Sequence, residues 1–210
     1  MSNLQEVADI VIAGKAKLTA GKVQEALDAG LPAQDILQAM IDAMSVVGER
    51  FTKNEIFVPE MLVAAKAMKK GVEVLKPHLA SGGVGSMGKM IMGTVAGDLH
   101  DIGKNLVIMM IESAGFEVID LGVDVPAQKF VDTYNENPDT KIIGLSALLT
   151  TTMPALEEAV GLLNKQDFRS KVKIMVGGAP ITQEFADKIG ADAYTEDAAS
   201  AALKAKELVS

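Results

Sequence analysis

Asp98 and His100 stand two residues apart in the stretch Gly97-Asp98-Leu99-His100-Asp101-Ile102-Gly103-Lys104-Asn105. A carboxylate at that spacing can accept a hydrogen bond from one imidazole nitrogen, which fixes the tautomer and leaves the other nitrogen to bind a metal. Without such a partner a loop histidine is usually only an exposed side chain. Gly103 has no Cβ, so a bulky group can lie against the backbone there. One histidine does not make a conventional metal site, because zinc takes three or four protein ligands and nothing nearby supplies them. A metal bound here has to arrive with its other ligands already attached.

The elements that position this stretch follow from hydrophobic spacing. It lies between an apolar run, Met90-Ile91-Met92-Gly93-Thr94-Val95-Ala96, and a helix-like run, Leu106-Val107-Ile108-Met109-Met110-Ile111, and so reads as the first strand-to-helix turn of an α/β unit. From Lys89 onward strands are expected at 89–96, Glu117–Leu121, Lys141–Ser146, Lys171–Val176 and Ala193–Tyr194, with helices around 104–114, 127–136, 153–166, 182–188 and 197–208. That alternation implies a flavodoxin-like (Rossmann-like) five-stranded parallel sheet of order 2-1-3-4-5, in domain 89–210. Ligands bind such sheets where the strand order reverses, here between the first and third strands.

Residues 1–80 read as a four-helix bundle cap. Asn3 and Thr19 are candidate caps for the first two helices, Gly30 a natural stop, and Pro32 and Pro59 mark the first turns of the third and fourth. Ile36, Met40, Met44 and Val47 on the third helix, and Met61, Ala65, Met68, Val72 and Leu75 on the fourth, recur at helical spacing. Between these helices Phe51, Ile56 and Phe57 either close the bundle core or form an apolar patch facing a ligand. Residues 81–88, Ser-Gly-Gly-Val-Gly-Ser-Met-Gly, read as a flexible linker. They precede the first strand, so they are not phosphate-binding glycines.

Composition excludes several classes. A net charge of −8 without a basic run argues against nucleic acid, and the start lacks the features of a signal peptide. No apolar run reaches membrane-spanning length, so a cytoplasmic protein with no membrane partner is expected. The absence of cysteine removes disulfides, thiolate metal sites and cysteine nucleophiles together. Twelve methionines without tryptophan read as adaptable core filler.

A switch-point ligand held by the first turn should also meet small or polar residues after the third and fourth strands. Ser146-Ala147-Leu148-Leu149-Thr150-Thr151-Thr152 follows the third with four hydroxyls, and Gly177-Gly178-Ala179 follows the fourth. At least one of these threonines is expected to cap the helix that starts at Met153-Pro154.

A corrinoid satisfies the metal requirement, since its macrocycle gives cobalt four equatorial nitrogens and leaves an axial position for one imidazole. The pattern Asp98-x-His100-x-x-Gly103 resembles the signature of cobalamin-binding domains in which a protein histidine displaces the cofactor's own lower base. From roughly Asn3 to its end the chain looks like the corrinoid proteins of methyltransferase systems, and it is similar to the cobalamin-binding region of cobalamin-dependent methionine synthase. The resemblance implies cobalamin or a related corrinoid bound base-off/His-on, with His100 as axial cobalt ligand. It implies a relay of His100 and Asp98 completed by the hydroxyl of Thr152, where methionine synthase carries serine. It also assigns Asp101, Ile102, Gly103 and Leu148 to the cofactor site, Ser146, Thr150, Gly177 and Gly178 to the nucleotide tail, and Phe51, Val58 and Met61 to a cap on the upper corrin face.

In function the resemblance implies a carrier of methanogenic or acetogenic metabolism. Cobalt(I) would take a methyl group from a donor through a substrate-specific methyltransferase, and methyl-cobalt(III) would pass it to a second methyltransferase, with a reductive activation protein as a further partner. No acid, base or nucleophile set for activating a methyl donor is evident, so the chain reads as a non-catalytic corrinoid subunit. The rival readings are a cobalamin sensor, which lacks a basic DNA-binding segment here, the small subunit of an adenosylcobalamin mutase, and a cofactor-free flavodoxin or response-regulator module.

Overall fold

A computed structural model describes residues 3–79 and 87–210. Most of the expected linker, residues 81–86, lies outside the described residues. The chain divides into two compact units, Met1–Gly85 and Ser86–Ser210. Among the described residues no helix is long and apolar enough to cross a membrane.

The first unit contains α1 (Asn3–Ile12), α2 (Ala16–Asp28), α3 (Ala33–Thr52) and α4 (Val58–Leu79). Helical spacing turns Val7, Ile36, Met40, Met61, Met68 and Leu75 inward, and all are buried to within 1%. Each such side chain contributes roughly 1.5–3 kcal/mol on leaving water. Pro32 is the N-cap of α3, and Glu60 in the first turn of α4 accepts the Phe57 N–H at 3.1 Å. Thr19 does not cap α2. The helix begins three residues earlier, and the Thr19 hydroxyl donates back to the Lys15 carbonyl at 3.2 Å.

The second unit is a parallel sheet of β1 (Lys89–Thr94), β2 (Glu117–Asp120), β3 (Thr140–Ser146), β4 (Lys173–Gly177) and β5 (Ala193–Tyr194). Its order is β2-β1-β3-β4-β5, as the alternating pattern predicts, with Ile91 of β1 in register with Ile119 and Ile143. The central strands carry almost continuous apolar runs because both faces are covered. The intervening helices are α5 (Ile102–Ser113), α6 (Ala127–Glu136), α7 (Met153–Asn164), α8 (Gln183–Ile189) and α9 (Ala198–Val209). α5 packs with α9, while α6 packs with α7 and α7 with α8, giving two helical layers. Phe130 of α6 fills the space over Gly93 of β1, where a Cβ would strike its ring.

Several boundaries differ from expectation. β1 stops at Thr94, and Val95 makes only an isolated bridge to Val125. Lys171 belongs to a 3-10 turn, Arg169–Lys171, before β4 begins. α5 starts at Ile102, so the histidine loop is short and closes directly onto a helix.

Candidate cofactor site

The loop from Val95 to Asp101 emerges between β2 and β3, where the strand order reverses. Thr94, fully buried at the end of β1, donates its hydroxyl to the His100 carbonyl at 2.9 Å. Asp101 is the N-cap of α5, and its carbonyl accepts the Asn105 N–H at 2.7 Å. Its Oδ2 accepts from the Asn105 side chain at 3.2 Å, so Asp101 anchors the exit of the loop.

Asp98 is wholly buried, and its carboxylate is fully satisfied. Oδ1 accepts from the His100 ring Nδ1 at 2.8 Å and from the His100 N–H at 3.1 Å. Oδ2 accepts from the Leu148 N–H at 2.7 Å and from the Thr152 hydroxyl at 2.7 Å. Burial alone pushes the carboxyl up, but the donors at Leu148, Thr152 and His100 together outweigh it and hold the group well below the usual carboxylate range. An ionised carboxylate only accepts, so Nδ1 carries the hydrogen of that bond and Nε2 of the neutral ring keeps its lone pair. The His100 side chain is 50% exposed, and no described residue bonds Nε2.

Exposed apolar side chains flank His100 in the chain and follow β3. Leu99 is 72% and Ile102 84% exposed, and Leu148 and Leu149 are partly exposed after β3. A Cβ on Gly103 would meet nothing within 4 Å, so the backbone offers open space to a flat group. Among the described residues no three histidine, cysteine, aspartate or glutamate side chains come together to hold a bare metal ion. One outward nitrogen lone pair on an apolar platform therefore fits a metal that brings an organic ligand frame of its own.

Ser146 and Gly177 are register partners at the ends of β3 and β4, and both are half-buried. Gly178 has φ +127°, and a Cβ there would run into the Ala147 carbonyl, so the strand ends close on each other without side chains. Thr150 is exposed in the 3-10 turn Thr150–Thr152. Thr152 occupies the N-cap position of α7 but makes no capping bond, because its hydroxyl faces Asp98 and the Leu149 carbonyl. The capping expectation for that threonine is thereby corrected. In the helical unit Met61 is fully buried, Phe51 is half-buried, and Val58 and Phe57 are exposed.

Sequence reasoning missed the supports behind the loop. Lys104, in the first turn of α5, has a side chain only 1% exposed. Its ammonium lies 2.7 and 2.8 Å from the two oxygens of Asp120 at the end of β2, and 2.8 Å from the Asn105 side-chain oxygen. A lone cation among the apolar positions of the helix was the available signal. Asp124, in the loop after β2, accepts the Gly97 N–H at 2.7 Å, and its own N–H donates to the Asp98 carbonyl at 2.9 Å.

Comparison with known proteins finds similarity over nearly the whole chain. Two family models, each described as a B12 binding domain, match residues 88–203 and residues 4–76. The dimethylamine corrinoid protein 3 of Methanosarcina acetivorans is 45% identical over 98% of this chain and 96% of its own length. A cobalamin-binding protein of known structure from Desulfitobacterium hafniense superposes with a TM-score of 0.84 at 31% identity, covering 99% of this chain and 98% of that one. A chain of the methanol:cobalamin methyltransferase complex from Methanosarcina barkeri gives 0.84 at 29% identity, over 99% of this chain and 79% of its own.

Proposed function

The chain belongs to the B12-binding protein family, and on that premise we propose that it is a corrinoid carrier that receives a methyl group from one methyltransferase and delivers it to another. Relatives 45% and 46% identical over 98% of this chain are named dimethylamine corrinoid proteins, so the donor proposed here is a methylated amine, dimethylamine before others. The partners in this reading are a substrate-specific methylamine methyltransferase, a second methyltransferase that takes the group onward, and a reductive activation protein.

When bound, the corrinoid supplies a cobalt centre able to take up and give away a methyl group. The chain's own residues do the rest. His100 would hold the cobalt through Nε2 in place of the cofactor's own base, and Leu99, Ile102 and Gly103 would provide the surface beneath the macrocycle. Ser146 and Gly177 at the ends of β3 and β4, with Gly178 and Thr150 after them, would line the nucleotide tail, and Leu148 would stand beside the cofactor. Asp98 stays ionised and keeps its bond to Nδ1–H, so Nε2 is the atom at which the ring would hold a metal.

The observation that carries the proposal is the Nδ1 bond to a buried, four-times-bonded Asp98, which leaves Nε2 as a lone-pair donor on an exposed apolar platform. It is tested by loading protein labelled with nitrogen-15 histidine with cob(II)alamin and recording the EPR spectrum. The axial nitrogen splitting should change from a triplet to a doublet. An unchanged triplet means that the cofactor kept its own base and overturns the ligand assignment.

A further inference from the structure

Asp98 is held from two sides. Leu148 and Thr152, beyond β3, grip its side chain, while the loop beyond β2 grips its backbone. That second grip is made by one residue. The Asp124 N–H donates to the Asp98 carbonyl at 2.9 Å, and the Asp124 Oδ1 accepts the Gly97 N–H at 2.7 Å, so Asp124 clasps both residues that lead into the ligand-bearing turn. The neighbouring contacts extend the same clasp: Val125 N–H donates to the Thr94 carbonyl at 2.9 Å, and Thr94 N–H donates to the Gly122 carbonyl at 3.0 Å. The Thr94 hydroxyl in turn holds the carbonyl of His100.

Two features set Asp124 apart from an ordinary loop residue. Its φ is +53°, in the left-handed region that costs a side-chain-bearing residue free energy and that glycine would occupy without strain. It is also exposed, so core packing does not account for it. A strained, exposed aspartate whose carboxylate and amide both engage the loop next door is explained by what that loop must hold still.

We propose that Asp124 is a positioning residue for the axial histidine: by fixing Gly97 and the Asp98 backbone it sets the direction of the Asp98 carboxylate, and through it the aim of His100 Nε2. The proposal rests on His100 being the cobalt ligand. Outer partners of a metal ligand are typically worth about 10- to 100-fold in metal affinity, and Asp124 acts one step further out, so an effect of roughly 3- to 10-fold is expected.

The test compares full-length Asp124→Gly, Asp124→Asn and His100→Ala with wild type, each loaded with cob(II)alamin and read by EPR as the ratio of histidine-ligated to unligated cobalt. Asp124→Gly keeps the left-handed backbone without strain but has no carboxylate, and it should lower the ratio about 3- to 10-fold. Asp124→Asn retains an acceptor oxygen and tolerates that backbone, so it should restore the ratio to within twofold of wild type. In cofactor-free protein the Gly97 amide should exchange with deuterium about 10-fold faster in Asp124→Gly and near the wild-type rate in Asp124→Asn. A wild-type ratio in Asp124→Gly, or a loss in Asp124→Asn equal to that in Asp124→Gly, overturns the positioning role. If His100→Ala leaves the spectrum unchanged, the ligand assignment itself has failed and takes this inference with it; a changed spectrum there with an unchanged one in Asp124→Gly overturns the inference alone.

Discussion

The Thr152 hydroxyl lies 2.7 Å from Asp98 Oδ2 and 2.9 Å from the carbonyl of Leu149, two acceptors for a single proton. The residue thus ties the turn before α7 to the loop after β1, and removing its hydroxyl leaves the buried carboxylate one donor short. Thr152→Val should lower the stability of the α/β unit by about 1–2 kcal/mol in urea unfolding at neutral pH. Thr152→Ser, which keeps the hydroxyl, should stay within about 0.5 kcal/mol of wild type. Equal losses in both would assign the effect to methyl packing instead.

Asp98 also makes stability depend on pH. Its carboxyl titrates well below the ordinary range in the folded chain and near about 3.9 in the unfolded one, so the unfolded state takes up the proton first. The contribution is fully present above that unfolded value and declines as pH falls toward the folded one. The urea midpoint of wild type should therefore drop more steeply between about pH 5 and pH 2 than that of Asp98→Asn, which starts lower at neutral pH. Parallel pH profiles for the two proteins would remove Asp98 as the source.

The ion pair behind the loop predicts an asymmetry. Lys104 has a side chain only 1% exposed, whereas that of Asp120 is 42% exposed and can be hydrated. Asp120→Ala strands a buried ammonium with only the Asn105 oxygen and should cost about 2–3 kcal/mol, the low side for a broken buried pair because Asp120 already touches water. Lys104→Met replaces the lysine stem with an apolar one and should cost less, about 1 kcal/mol. Urea unfolding of both variants decides the order, and a larger loss in Lys104→Met would contradict it.

Gly178 combines a left-handed backbone with a close approach to the Ala147 carbonyl. Gly178→Ala should destabilise the α/β unit by roughly 2 kcal/mol or more. The same variant should weaken corrinoid retention, measured by absorbance after gel filtration. Wild-type stability would show that the strand ends separate easily.

The parallel sheet is legible in the sequence because burial on both faces demands unbroken runs such as Ile142-Ile143-Gly144-Leu145, which no exposed strand would tolerate. His100 and Asp98 are legible because their contact is local. Thr152 is legible as a partner of Asp98 only through the resemblance, which completes the relay with its hydroxyl: the local rule assigns a threonine before Met153-Pro154 to capping, and the acceptor is a buried aspartate 54 residues away. Thr19 fails for a related reason, since a hydroxyl near a helix start resembles a cap until the chain is seen to be helical from Ala16. Lys104 with Asp120, and Asp124 with Gly97, pair across strands at separations that no local periodicity encodes, and the positive φ of Asp124 exists only in the folded loop.

Parallel neighbours cannot be joined by a tight turn, so β1 and β3 meet only after β2 and α6 have been traversed. The donors on Asp98 Oδ2 stand 50 and 54 residues beyond it, and their arrival requires that long loop to close. During synthesis, then, the first half of the α/β unit already contains the imidazole and its carboxylate, yet the carboxylate still turns freely in water and the ring has no fixed heading. The fixed heading of the ring is therefore acquired late, when the third strand docks against the first.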